Sequence, residues 1–162
     1  RSEENAAQTA KALNIIQPDF IRVHATGIKL ESKLGEFVRD GSFTLQSEEG
    51  IVIEQKLFLQ QLHEMDSYYV NEHIVNLLLE VRGNLRTEKQ EMLSTIDRFL
   101  TLPPDERLLF TVGRRLNIFF RLDDLKKPKL YQKAGESLQQ ILSKNPHVDF
   151  AALCNYVRQS QI

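Results

Sequence analysis

At 162 residues, with 41% hydrophobic and 27% charged side chains, the chain suits one globular domain of ordinary size and excludes a disordered or fibrous class. Its 21 basic and 22 acidic residues leave a net charge of −1 with the signs scattered, which excludes the basic field that nucleic-acid binding needs. No apolar run reaches the roughly 18 residues of a membrane span, and the first residues form no apolar leader core, so neither membrane nor nucleic acid is an expected partner and a cytoplasmic location is expected.

Residues 2 to 16 place Ala6, Ala7, Ala10, Leu13 and Ile16 at helical spacing, with Ser2 as N-cap and Glu3 and Glu4 in the first turn. Pro18 stops that helix, and Phe20 to Thr26 reads as a short strand closed by Gly27. Residues 31 to 39 fit a short helix ending at Gly41. Ser47, with Glu48 and Glu49, caps a longer one through about Glu64. Tyr68 to Val70 is the second strand, Ile74 to Leu79 is ambiguous between strand and helix, and Gly83-Asn84 reads as a turn.

Thr87, with Gln90 three residues on, caps a helix whose inner face carries Met92, Leu93, Ile96, Phe99 and Leu100, and Pro103-Pro104 ends it. A helix from Asp105-Glu106 is expected to run to about Leu125 despite Gly113, with a break at Lys126-Lys127-Pro128. Two last helices, 129 to 144 and 148 to 160, flank Asn145-Pro146, with Asp149 as the cap of the second. Every strand signal lies before residue 85, so an α/β first half and a helical second half are expected.

Few residues carry chemistry. Cys154 is the single cysteine; no intrachain disulfide is open to it, and its apolar neighbours Phe150, Leu153 and Val157 mark a buried, inert thiol. No two histidines have the i, i+4 spacing of a helical metal site, and no glycine-rich phosphate loop occurs, so no metal site within this chain is expected. Arg22, His24 and Thr26 alternate along the first strand and project from one face, either as a site or as a plain polar surface. Asn71, His73 and Asn76 put two amides and an imidazole within six residues, which suits either a polar ligand or an internally bonded loop. Arg114-Arg115 and Lys126-Lys127 read as solvated faces or helix-end charges.

Taken together, Glu4-Asn5-x-x-x-Thr9-Ala10, Leu13-Asn14-x-x-x-Pro18-Asp19-Phe20-Ile21-Arg22-Val23 and then Tyr69-Val70-Asn71-Glu72-His73-Ile74-x-Asn76-Leu77-Leu78 form an ordered set. Val81-x-Gly83-Asn84-Leu85 and Met92-Leu93-x-x-Ile96-Asp97 continue it. In order and spacing, over about residues 2 to 115, this set resembles the final barrel helix and strand, and the segment after them, in a group of uncharacterised radical SAM proteins often labelled Fe–S oxidoreductases.

The resemblance implies a partial (β/α)6 barrel holding a 4Fe–4S cluster on a Cys-x-x-x-Cys-x-x-Cys motif, with S-adenosylmethionine as the source of a 5′-deoxyadenosyl radical. Those cysteines do not occur here, so the chain looks like the C-terminal part of a longer parent that would supply cluster and cofactor. By the resemblance, Val23, His24 and Ala25 lie near the adenine through backbone contacts. Asn71 and His73 face the barrel mouth, with Arg22 and Asn76 as further substrate contacts. The family's arginine and Gly-Thr-Pro-Leu-Tyr-like stretch after the last strand are replaced here by His24 and Ile28-Lys29-Leu30, which puts any substrate role of that loop in doubt.

The expected fold is an α/β fragment, predominantly α-helical: two or three short strands from the end of a partial barrel over 1–84, then a helical C-terminal domain over 85–162. The expected function is to close the barrel and wall its site, inactive alone, with the preceding part of the same polypeptide as partner. The second reading is a helical protein-binding or dimerisation module without catalysis, docking a partner or a second copy through its Leu- and Phe-rich faces.

Overall fold

A computed structural model of the chain describes residues 2–160. It is mostly helical, with a small mixed three-stranded sheet. The helices are α1 (Ser2–Ile16), α2 (Lys33–Arg39), α3 (Glu48–Gln61), α4 (Lys89–Leu100), α5 (Pro104–Arg115), α6 (Pro128–Lys144) and α7 (Phe150–Ser160), and the strands are β1 (Phe20–Arg22), β2 (Tyr68–Val70) and β3 (Gly83–Asn84). Among the described residues no helix is long and apolar enough to cross a membrane.

Two compact units form, each from two separate stretches of chain. The first takes residues 2–24 and 49–102, the second 25–48 and 103–160. The compositional shift near residue 85 falls inside the first unit, between β3 and α4.

The first unit is built on the sheet, in the order β1-β2-β3. β1 and β2 run parallel, with Phe20 opposite Tyr68 and Arg22 opposite Val70, while β3 is antiparallel to β2, with Gly83 opposite Tyr69. Both longer strands alternate, so Ile21 and Tyr69 point into the core and Phe20, Arg22 and Tyr68 point out. Tyr69 is fully buried, its ring against Phe58 and its hydroxyl accepting from Gln55 Nε2 at 3.0 Å. Val52, Leu59, Ile96 and Phe99 from α3 and α4 complete this core.

Several local expectations are corrected here. β1 stops at Arg22 rather than continuing to Thr26. The 74–79 stretch is neither strand nor helix but a run of turns, fixed by Asn76 N donating to His73 O at 2.8 Å and Val81 N to Leu78 O at 3.2 Å. Gly83-Asn84 is strand, and the turn lies just after it: Asn84 Oδ1 accepts from Arg86 N at 2.8 Å and Thr87 N at 3.3 Å. Thr87 does not cap α4. Glu88 occupies that position, and its carboxylate reaches back to Asn84 N at 2.7 Å.

The second unit packs α5 against α6 and α7. Its core holds Phe110, Phe119, Leu122, Ala134 and Cys154, with the Phe110 and Phe119 rings stacked at 5.9 Å. The long helix expected from 105 to 125 is cut at Arg115. Asn117 takes φ 56°, the left-handed conformation that ends helices, and Gly113 O accepts from both Ile118 N and Phe119 N at 2.8 and 3.2 Å.

That reversal lays Phe119 over Gly113, where any side chain would collide with its ring. A short 3-10 helix, Leu122–Lys126, follows. Asp124 organises it by accepting from Phe120 N, Arg121 N and Lys127 Nζ at 2.7, 3.0 and 2.7 Å. Asp149 caps α7 as expected, its Oδ1 accepting from Ala151 N at 2.9 Å and Ala152 N at 3.1 Å.

Candidate functional site

The parallel pair β1 and β2 brings two chain segments to one end of the sheet, the carboxyl end, where open α/β sheets place their ligands. The pairing continues one step past the strands, with Val23 N donating to Val70 O at 3.1 Å. Immediately beyond, the His24 ring stacks on the His73 ring, centroids 4.2 Å apart and planes 27° from parallel. His24 is exposed and His73 half-buried. Arg22 is exposed on the outward face of β1.

Loop 71–78 is held in place by its own amides. Asn71 is buried and donates through Nδ2 to Leu78 O at 2.6 Å. Asn76, also buried, donates to Val23 O at 2.8 Å and to Asn71 O at 3.2 Å. The two asparagines therefore spend donors on the loop and on its attachment to β1. They position His73 rather than present amides to solvent. His73 Nδ1 in turn accepts from Val75 N at 3.4 Å, which leaves the proton of the neutral ring on Nε2.

Of the residues expected at the site, Arg22, Val23, His24, Asn71, His73 and Asn76 all belong to the first unit, and Ala25 begins the second. Val23's amide and carbonyl are engaged by Val70 and Asn76, which leaves this residue little main chain with which to greet an adenine.

The influences on His24 all act in one direction. Desolvation holds the His24 imidazole below its ordinary value of 6.5, and the charges of His73 and Arg22 add to the effect. Glu72, next in sequence to His73, is drawn away into an ion pair with Arg82.

The second unit contains a polar cluster that no local sequence signal announces. Arg114 and Arg115, read from sequence as solvated or helix-end charges, are 0% and 4% exposed. Arg115 grips Glu48, the first residue of α3, through Nε at 3.1 Å and Nη2 at 2.5 Å, and Arg158 of α7 reaches the same carboxylate through Nη1. Arg114 lies with its guanidinium 5.6 Å from the Phe120 ring centroid. Burial, reinforced by Arg115 and opposed by Glu48, brings the pKa of its guanidinium down to about 10.

Cys154 packs in the same neighbourhood. Burial and the Glu48 charge push its thiol up to about 12, against the pull of Arg115 and Arg158, so it is an inert core side chain. A protonated, buried thiol is no ligand for an iron–sulfur cluster, and the described residues contain no group of three or more His, Cys, Asp or Glu placed to hold a metal ion.

On α7, Asn155 clasps Ile28: its Oδ1 accepts from Ile28 N at 2.8 Å and its Nδ2 donates to Ile28 O at 2.9 Å. Asn155 and Arg158 gave no signal in the sequence and Glu48 signalled only a helix start, because each acts on a partner far along the chain. Compared with known protein families, with curated proteins and with solved structures, the chain matches none.

Proposed function

We propose that this chain is the C-terminal segment of a radical SAM iron–sulfur enzyme of the cytoplasm, closing its partial barrel and walling the substrate side of its site. The observation that carries the reading is the parallel pairing of β1 with β2, which sets His24 and His73 together at the carboxyl ends of the two strands that the resemblance draws on. The open flank of β1 fits the same reading. Among the described residues β1 is an edge strand, and Ile15 and Ile16 at the end of α1 and Phe20 of β1 are 78%, 67% and 70% exposed, as expected of a seam that a preceding barrel strand would cover.

The chain's own donors do not fit a cluster, so cluster and S-adenosylmethionine chemistry belong to the rest of the parent. What this segment contributes is placement: Asn76 fixes the end of β1, Asn71 shapes the loop, and Arg22, His24 and His73 face the bound molecules. The test is the natural coding sequence upstream of this segment. A Cys-x-x-x-Cys-x-x-Cys motif some barrel-length before it is expected, and an intact parent without that motif overturns the proposal. Sedimentation of the isolated chain addresses the alternative. Self-association that disappears in Phe20→Glu would assign the apolar seam to a second copy.

A further inference from the structure

We infer that the strand-end site takes an anionic small molecule, whose phosphate or carboxylate group is held by Arg22, His24 and His73. As a statement about substrate, the inference rests on the reading of these strand ends as the substrate side of the enzyme. Two imidazoles meet there, His24 from the extension of β1 and His73 from the loop that Asn76 ties to the same strand, and the charge of Arg22, two residues before His24, acts on the His24 ring. Two imidazoles 4.2 Å apart repel each other once both are protonated, and the Arg22 guanidinium adds to that repulsion.

The influences that set the His24 equilibrium are desolvation, His73 and Arg22, all disfavouring its charged form. The nearest acidic neighbour in sequence, Glu72, is held by Arg82 instead. An oxyanion between the rings and the guanidinium would supply the missing counter-charge, accepting from Arg22 in a fork and from ring N–H groups.

His73 already offers the right tautomer, because its Nδ1 accepts from Val75 N and leaves Nε2–H to donate. The loop is preorganised as well, since Asn71 and Asn76 spend their amides on the backbone rather than on the ligand. Binding and protonation are then linked. Occupancy raises the His24 equilibrium, and affinity grows as the pH falls through the imidazole range.

The experiment follows the His24 and His73 ring signals by NMR in the full chain while inorganic phosphate, succinate or sodium chloride is added at matched ionic strength. Saturable shifts toward the protonated ring with phosphate or succinate, beyond those with chloride, are expected. The stronger of the two arms assigns the group as phosphoryl or carboxylate. Arg22→Gln and His24→Gln, both at exposed positions, should each weaken binding by about three- to tenfold without disturbing signals elsewhere.

Shifts no larger than those in chloride, or saturation undiminished in the Arg22→Gln, His24→Gln double variant, overturn the inference. Because this titration needs neither cluster nor cofactor, its failure is distinct from a failure of the parent to cleave S-adenosylmethionine.

Discussion

Changing Glu48 to Gln removes the negative charge of the carboxylate that Arg115 and Arg158 both bind. All three residues are almost fully buried, at 5%, 4% and 2% exposure, so water cannot replace the lost charge. Arg115 Nη1 and Arg158 Nε already lie buried without a hydrogen-bond acceptor among the described residues, which leaves the cluster short of acceptors from the start.

Breaking a buried pair from one side costs about 3–5 kcal/mol, because the remaining charge stays desolvated. At about 2–4 °C per kcal/mol for a chain of this size, Glu48→Gln should lower the melting temperature by roughly 10 °C. Arg158→Met is the informative contrast. It leaves a matched Glu48–Arg115 pair, discards an excess buried cation and keeps the volume of the stem, so its cost should stay under about 2 kcal/mol. Urea unfolding followed by circular dichroism, with the slope unchanged between variants, reads both numbers. If Glu48→Gln falls within about 1 kcal/mol of the parent chain, or Arg158→Met is the more damaging, the charge argument is wrong.

Further outcomes follow from other contacts. Asn76→Ala removes the donors to Val23 O and Asn71 O and should cost about 1–3 kcal/mol; faster amide exchange across residues 71–76 and loss of the stacked-ring shifts of His24 and His73 are the readouts. Gly113→Ala, which raises helix propensity on an exposed face, should here destabilise by about 1–3 kcal/mol, because its methyl would stand 2.3 Å from Phe119 Cδ2 and 3.2 Å from Ala134 Cβ. Cys154 should resist aromatic disulfide reagents at neutral pH in the folded chain and react fully in urea, since burial and the high proton affinity of its thiol both oppose attack.

Where a signal was local, the sequence carried it. β2 falls at Tyr68–Val70 as its aromatic and β-branched run predicts, and α6 and α7 begin at or within about two residues of the positions marked by Pro128 and Asp149. The helical second half also follows from spacing alone. What stayed hidden depends on distant partners or on backbone conformation. β3 is two residues long, and its glycine reads as a turn because only pairing with Tyr69 makes it a strand. α5 ends at Arg115 through the left-handed Asn117, which a continuous apolar period conceals.

Arg114-Arg115 looks like a helix-end charge pair until Glu48, 67 residues from Arg115, is placed against it. At the candidate site the sequence marked the polar residues without separating their roles. Asn71 and Asn76 proved to be the loop's internal fasteners, and the meeting of His24 with His73 required the parallel register of two strands that are far apart in the chain.

The central claim is that this segment completes a radical SAM enzyme, and it is tested most directly on the natural full-length polypeptide. Reconstituted with iron and sulfide without oxygen, reduced, and given S-adenosylmethionine, that protein should form 5′-deoxyadenosine and methionine. A correctly folded full-length protein that binds no cluster and leaves S-adenosylmethionine intact would contradict the account.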